Sequence, residues 1–133
     1  MLLREGLAIQ PKSGHLLTWL ARNLLRQERY TEAAAAARAA IEAYDNDPTT
    51  RWMRCVPTSM LGRALLGQGE YAAAEPLLLQ GYEGTKELEK KMVFWSWRVN
   101  EAVQHIIDFY EVTKQPEQAD IWRGRLQPST VPK

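Results

Sequence analysis

Apolar residues recur at every third or fourth position over most of this chain, and that spacing predicts helices separated by short polar turns. The clearest predicted helix runs over residues 15–27, with Ser13 as its N-cap. Its apolar positions are Leu16, Leu17, Leu20 and Leu24. A shorter helix is predicted over residues 2–10, since Pro11 disfavours the helical conformation in the residue before it.

Further helices are predicted along the rest of the chain. Thr31 is the predicted cap of an alanine-rich helix, and the turn-forming residues 45–50 follow that helix as a linker. The next helix is expected to end near Gly67, and its partner to open at Tyr71 and continue to about Thr85. A charged, partly helical connector over residues 86–91 leads to predicted helices over 93–113 and 116–126.

One segment of the chain occurs twice. Leu20–Ala33 aligns with Leu61–Ala74 without a gap, and both copies contain Leu-x-Arg-x-Leu-Leu-x-Gln, a break and a Tyr. A fixed repeat of this length indicates a helical solenoid, in which a single helix pair cannot bury its apolar face alone. A third unit is less regular, because the step from Ala74 to Ala119 is longer than the step from Ala33 to Ala74.

These elements predict the organisation of the chain. Residues 1–12 are interpreted as the end of a preceding helix or repeat, and residues 129–133 as a flexible tail. Between them, residues 13–128 form one repeat domain with units of about 13–47, 48–85 and 92–127. The predicted fold class is all-α, with about six to seven helices.

Small and large apolar residues alternate in a recurring signature that pairs two helices in each unit. This repeat-packing signature consists of Leu20, Ala21, Leu24, Ala33, Leu61, Gly62, Leu65, Ala74 and Ala119. It resembles the tetratricopeptide repeat (TPR), although the step from Leu20 to Leu61 exceeds the roughly 34 residues usual there. The resemblance implies TPR-like helix-turn-helix units stacked into a short right-handed α-α superhelix (a solenoid), whose concave groove binds a peptide or protein.

A narrower resemblance concerns the second repeat and parts of the third. The block Leu65–Gly84 is similar to repeats found C-terminal to bacterial serine/threonine protein kinases of planctomycete type. The same is true of Arg51–Trp52, Asp108–Glu111 and Gln118–Arg123. Pro57 departs from that pattern because it falls inside a predicted helix. Since the chain lacks the His-Arg-Asp and Asp-Phe-Gly motifs of a kinase, the resemblance implies a non-catalytic regulatory part of such a kinase or a free-standing relative.

Composition narrows the possible partners and the compartment. With 17 Lys and Arg against 16 Asp and Glu, the chain carries a net charge of +1, which does not favour a nucleic-acid partner. Cys55 is the only cysteine, so a reducing compartment fits, and the cytoplasm is the predicted location. No apolar run in the sequence approaches the length of a membrane-spanning helix, roughly 18 residues or more.

The sequence offers no clear catalytic or metal-binding group. His105 and Asp108 lie close together on one predicted helix and could form a hydrogen-bonded pair, but no nucleophile lies near them in the sequence. His15, His105 and Cys55 show no ligand spacing for a metal. We therefore expect no enzyme activity, no cofactor and no metal.

Five tryptophans are many for 133 residues. Core packing is the favoured interpretation for Trp19, Trp52 and Trp122, with anchoring of a partner as the alternative. Trp95 and Trp97 cannot share one helix face, so one of them is expected to be partly exposed.

Two arginines, Arg22 and Arg63, occupy the same position in the two copies of the repeat, directly after the small residue. The family resemblance places them on the face that lines the groove. The candidate groove residues are Thr18, Arg22, Arg26, Ser59, Arg63, Gln104 and Asp108. The guanidiniums could hold a carboxylate or phosphate of a ligand, or they could pair with carboxylates of the chain itself, among which Asp108 is a candidate partner of Arg63.

A non-catalytic scaffold for protein–protein interaction is the function that these observations favour. Self-association into an assembly, for example a homodimer, is the alternative, because the open end units of a solenoid could stack on a second copy. RNA binding by helical repeats is a third possibility, which the near-neutral charge disfavours.

Overall fold

A computed structural model describes residues 13–92 and 95–128. The helix predicted over 2–10, the first residues of the helix predicted from 93 and the tail at 129–133 lie outside the described residues. Six α-helices and one short 3₁₀ helix occur in the described part, which contains no strand. The α-helices are α1 (Gly14–Arg26), α2 (Tyr30–Asp45), α3 (Cys55–Gly67), α4 (Tyr71–Glu89), α5 (Ser96–Val112) and α6 (Pro116–Arg123), and the 3₁₀ helix covers Arg51–Arg54.

The helix starts agree with the sequence at one cap and differ at another. Ser13 caps α1 as predicted, because its hydroxyl accepts a hydrogen bond from the backbone N–H of Leu16 at 3.2 Å. The prediction that Thr31 caps α2 is wrong: the helix begins at Tyr30, and its N-cap residue Arg29 makes no capping bond through its side chain. The helix α4 runs to Glu89 and therefore absorbs most of the predicted connector.

The turn inside each helix pair has the same geometry three times. Glu28, Gly69 and Lys114 each adopt a left-handed conformation, with φ of 58°, 80° and 60°. In each turn the following N–H bonds back to the carbonyl five positions earlier, as in Arg29 to Leu24 at 2.9 Å. This arrangement is the Schellman motif that ends many helices. The spacings between these three residues equal the spacings between the repeat units, from Ala33 to Ala74 and from Ala74 to Ala119.

The helices pack as successive pairs whose first members face inward. Helix α1 packs on α2, α3 on α4 and α5 on α6, while α3 also contacts both α1 and α5. Among the described residues, α2 and α4 make no contact with each other, so the second helices splay apart on the outside. Helices α1, α3 and α5 therefore line the inner, concave face.

The α3–α4 pair owes its close approach to glycine. A Cβ atom on Gly62 would lie 2.8 Å from Cγ and 3.0 Å from the backbone N of Leu78, so this position accepts no larger residue without a shift. On the partner helix, a Cβ on Gly81 would meet the backbone of Ser59 at 2.7 Å. The residues that the sequence assigned to helix packing are buried, apart from Leu20, which is partly exposed.

Two prolines lie inside helices without ending them. Pro57 is the third residue of α3, in the first turn, where the missing N–H has no partner in any case. Pro76 is the sixth residue of α4 and lies beyond the first turn. No helix in residues 13–92 and 95–128 is long and apolar enough to cross a membrane.

Candidate functional site

The deepest charged contact on the inner face joins the first pair to the third. Arg22 of α1 is only 4% exposed and donates two hydrogen bonds to the carboxylate of Glu101 on α5. The distances are 2.7 Å from Nε to Oε2 and 2.9 Å from Nη2 to Oε1, which is the bidentate geometry of a strong arginine–carboxylate pair. Both oxygens of Glu101 are therefore engaged.

The pKa of Glu101 reflects this partner. Burial by itself would raise the pKa, but the hydrogen bonds from Arg22 and the electrostatic influence of His105, Arg22 and Arg98 outweigh it and lower the pKa. Glu101 is therefore ionised at neutral pH and keeps the Arg22 guanidinium fixed in place. The sequence did not mark Glu101 as a candidate, since only the tertiary fold brings it to a residue 79 positions away.

The second repeat forms a more open pair. Nε of Arg63 donates to Oδ2 of Asp108 at 3.1 Å, and the amide of Gln104 donates to the other oxygen, Oδ1, at 3.0 Å. The side chains of Arg63 and Asp108 are 21% and 27% exposed to solvent. The expectation that Asp108 could pair with Arg63 therefore agrees with the contact in the structure.

Between the two ion pairs lies His105. Its Nδ1 is 3.0 Å from Oγ of Ser59 on α3, so the predicted pair of His105 with Asp108 is replaced by a bond to serine. Burial is the largest influence on its pKa and lowers it; Arg63 and Arg22 lower it further, while Glu101 and Asp108 act in the opposite sense. The net result is a lowered pKa, so the imidazole is neutral at pH 7.

The remaining predicted groove residues divide between buried and exposed positions. Thr18 is buried, and its hydroxyl donates to the carbonyl of Gly14 at 2.7 Å, which leaves no free donor for a ligand. Ser59 is also buried, at the α3–α4 contact. Arg26, at the end of α1, is exposed. The structure therefore brings Arg22, Ser59 and Arg63 into one polar network through α5, but leaves Thr18 and Arg26 outside it.

Next to this network, tryptophans and arginines alternate in a continuous stack, which we call the aromatic–arginine ladder. In order of contact, its members are Trp19, Arg22, Trp97, Arg98, Trp95 and Trp52. Each guanidinium carbon lies over the indoles on either side, at 5.0 and 5.4 Å for Arg22 and at 4.6 and 4.7 Å for Arg98. Trp95 and Trp52 complete the stack with ring centroids 6.2 Å apart. Such contacts hold flat groups in fixed positions.

The two ends of the ladder are open to solvent. Trp19 is 47% exposed and Trp52 is 46% exposed, so the interpretation of these two residues as core is wrong. Trp122, at 7%, is core as predicted, and packs edge-on against Tyr82. Spacing on one helix could not reveal the ladder, because its members come from α1, the 3₁₀ helix and the start of α5.

No metal site is assembled among the described residues, and the thiol of Cys55 and the histidine-bonded hydroxyl of Ser59 are both buried. No group of three or more potential metal ligands occurs in this part of the chain. Burial raises the pKa of the Cys55 thiol, which is therefore protonated at neutral pH. Ser59, although bonded to a histidine, is buried, so a substrate has no access to its hydroxyl.

Comparison with known proteins agrees with this architecture. Residues 2–48, about a third of the chain, match the model of a family described as tetratricopeptide repeat. No curated protein and no solved structure gave a significant match. Repeats of this family generally mediate protein–protein interaction. Together, the matched segment and the three helix pairs, each with its first helix facing inward, identify the fold as an all-α array of TPR-like helical repeats.

Proposed function

We propose that this chain is a non-catalytic scaffold that binds a peptide or protein segment on its concave side. The observation that carries the proposal is Trp19, an indole that is nearly half exposed yet stacked on Arg22. Arg22 is itself fixed by two bonds to Glu101, so the indole is supported from beneath by a rigid group. Rigid, exposed tryptophans are the side chains that most often dominate a binding interface.

The ion pairs on the concave face favour the ladder as the place where a ligand binds, rather than Arg22 and Arg63. Arg22 and Arg63 already have carboxylate partners from α5, and a ligand would have to displace them. Breaking the Arg22 pair would leave a buried charge, which is unfavourable. Binding at the ladder requires no such exchange, because Trp19 and Trp52 at its two ends are about half exposed to solvent.

Panning a phage-displayed library of random peptides against the protein tests this function. Enriched sequences are resynthesised with a fluorescent label and titrated by fluorescence polarisation. For these peptides we expect Trp19→Ala to weaken binding by about tenfold or more, the size of an interface hot spot. The matched control is Tyr71→Ala, which removes another half-exposed aromatic residue at the start of α4.

Two results would count against the scaffold. The first is the absence of any peptide enriched over an unrelated helical protein. The second is an equal loss of peptide affinity for Tyr71→Ala and Trp19→Ala, since this would show nonspecific binding to exposed aromatic rings. Circular dichroism melting of both variants ensures that the lost binding is not lost folding.

A regulatory role beside a serine/threonine kinase is a narrower form of this proposal. Its support is the similarity of Leu65–Gly84 to repeats that follow such kinases, a block that forms the end of α3 and most of α4. An immunoblot of source cells with an antibody to this domain tests it. A band far larger than a chain of 133 residues is expected for a kinase-linked form, whereas a band at the size of this chain would contradict a fused kinase.

Self-association is the second candidate, and apolar exposure at the C-terminal unit favours it. Val112, Ile121 and Leu126 are 48%, 55% and 41% exposed at the end of α5 and around α6. Light scattering at increasing concentration would reveal a dimer, and Ile121→Glu would abolish it. A monomer at all concentrations would contradict this candidate.

A further inference from the structure

The guanidinium of one arginine of the ladder has neither a carboxylate nor a carbonyl partner. The side chain of Arg98 makes no hydrogen bond or ion pair with any residue in 13–92 and 95–128, and its guanidinium lies over Trp95 and Trp97. No buried side-chain nitrogen in this part of the chain lacks a partner. The nitrogens of Arg98 are therefore in contact with solvent, where an external acceptor can reach them.

The charge around Arg98 is unbalanced. Arg22 lies close enough to lower the pKa of Arg98, after burial, which is the largest cause. Glu101 is the acidic neighbour that opposes this effect, but both of its oxygens are bonded to Arg22. Two fixed guanidiniums and one occupied carboxylate leave a local excess of one positive charge. An anionic group placed on Arg98 would remove that excess.

The surroundings of Arg98 also restrict what can bind. The N–H groups of a guanidinium lie at the edge of its plane, in the fork that binds a carboxylate bidentately, and that of Arg98 lies over two indoles. The half-exposed faces of Trp19 and Trp52 lie at either end of the same stack and offer apolar surface to neighbouring side chains. A chain segment with an acidic residue between apolar ones fits this arrangement.

We propose that Arg98 is the anchor for an acidic side chain of a peptide. Trp19 and Trp52, the indoles at the two ends of the ladder, bind residues of the peptide on either side of that acidic residue. This inference rests on the proposed scaffold function and specifies its ligand as a peptide with a Glu or Asp carboxylate. The recognised group lies beside the paired arginines of the inner face, so the ion pairs of Arg22 and Arg63 stay intact during binding.

Three pools of short synthetic peptides test the proposal, random at every position except the central one, which is Glu, Gln or phosphoserine. Each pool is passed over the immobilised protein and the retained fraction is measured. We expect the Glu pool to be retained about fivefold or more above the Gln pool, as for a hydrogen-bonded ion pair. This preference should shrink as NaCl rises from about 50 to about 300 mM, because salt screens it.

Variants connect the preference to one side chain. Arg98→Gln should abolish the Glu preference, whereas Arg38→Gln, the same change at an exposed position on α2, should preserve it. Arg98→Lys keeps the charge without the planar fork, so an intermediate preference is expected. It serves as the second variant if Arg98→Gln fails to fold by circular dichroism.

The outcomes separate this inference from the scaffold function. Equal retention of the Glu and Gln pools would overturn the role of Arg98 while peptide binding stands. Preferential retention of the phosphoserine pool would also overturn it, since the site would then select phosphate. If no pool is retained above an unrelated helical protein, the scaffold function itself is contradicted.

Discussion

The first and second helix pairs carry the same short motif and use it differently. Arg22 and Arg63 occupy equivalent positions of the repeat, yet Arg22 is almost fully buried in a bidentate pair while Arg63 makes one longer bond. The residues before them differ too, because Ala21 is buried with its methyl group whereas Gly62 has no room for one. Residues at equivalent positions of the repeat therefore occupy the same place on their helices, but their side chains have different surroundings.

The difference arises from the third pair. Helix α5 presents Glu101 to the first unit and Asp108 to the second, two turns apart on the same face. The two carboxylates are similarly exposed, at 22% for Glu101 and 27% for Asp108, but the Arg22 side chain is 5% exposed against 21% for Arg63. The energetic value of a salt bridge depends on such burial. Four predictions test the contrast between the two pairs.

The largest expected effect is that of Arg22→Met. It leaves the ionised Glu101 in a partly buried position without its partner, and we expect a loss of about 3 kcal/mol in the free energy of unfolding. Urea denaturation followed by circular dichroism measures it. Arg63→Met is the matched control, for which about 1 kcal/mol or less is expected. Equal losses in the two variants would mean that the contrast between the pairs has no energetic counterpart.

Gly62→Ala is expected to rank second. The added methyl group would lie 2.8 to 3.0 Å from Leu78, including its backbone nitrogen, so the two helices must separate. Overpacking of this kind costs about 1–3 kcal/mol. The reverse change in the first repeat, Ala21→Gly, should cost only about 1 kcal/mol through helix propensity. A stabilised Gly62→Ala protein would show that α3 and α4 are not as closely packed as described.

Acid should destabilise the protein through His105. Its pKa in the folded state is lowered, so the contribution of this group is fully present above the unfolded value of about 6.5 and is lost as pH falls through the folded value. Between about pH 6.5 and 5 we therefore expect stability to fall, at no more than about 1.4 kcal/mol per pH unit. Urea midpoints across this range measure the slope, and His105→Gln should flatten it. A slope that persists in the variant would assign the acid sensitivity to another group.

The smallest expected effect is that of Glu28→Gly. Glu28 and Gly69 hold the same left-handed turn, but only glycine adopts it without steric cost. Relief of that strain in the first pair should stabilise the protein by about 0.5–1 kcal/mol, reduced by the greater entropy of the unfolded chain. The melting temperature reports it, and Gly69→Ala should lower that temperature. If Glu28→Gly also lowers it, the strain argument is wrong.

The sequence predicted most of the helices because their signals are local. The spacing of leucines, the Ser13 cap and the break at Gly67 each act within a few residues, and the structure has them as expected. The Thr31 cap was wrong because the preceding turn is set by Glu28, a residue type that rarely signals a left-handed turn. Glu28 and Lys114 share the left-handed conformation of Gly69 without being glycine, so residue type does not reveal the three equivalent turns.

The candidate site was predicted less completely, for a physical reason. The repeat identified Arg22 and Arg63, but their environments depend on α5, which does not repeat the motif. Glu101, Trp97 and Arg98 carry no local mark that distinguishes them from other residues of an amphipathic helix. The sequence also gives no sign that Trp19 and Trp52 are exposed, since tryptophan is most often buried and only the packed structure reveals an indole supported by a guanidinium.

The bond between Arg22 and Glu101 has a consequence for how the molecule unfolds. In most helical arrays each unit contacts only its neighbours, so the ends can melt before the middle. Here a buried pair connects the first unit directly to the third, although α1 and α5 make no backbone contact within the described residues. Loss of either end would break that bond and expose charge at the other. The two ends are thus coupled, and hydrogen exchange should show α1 and α5 opening as one cooperative unit.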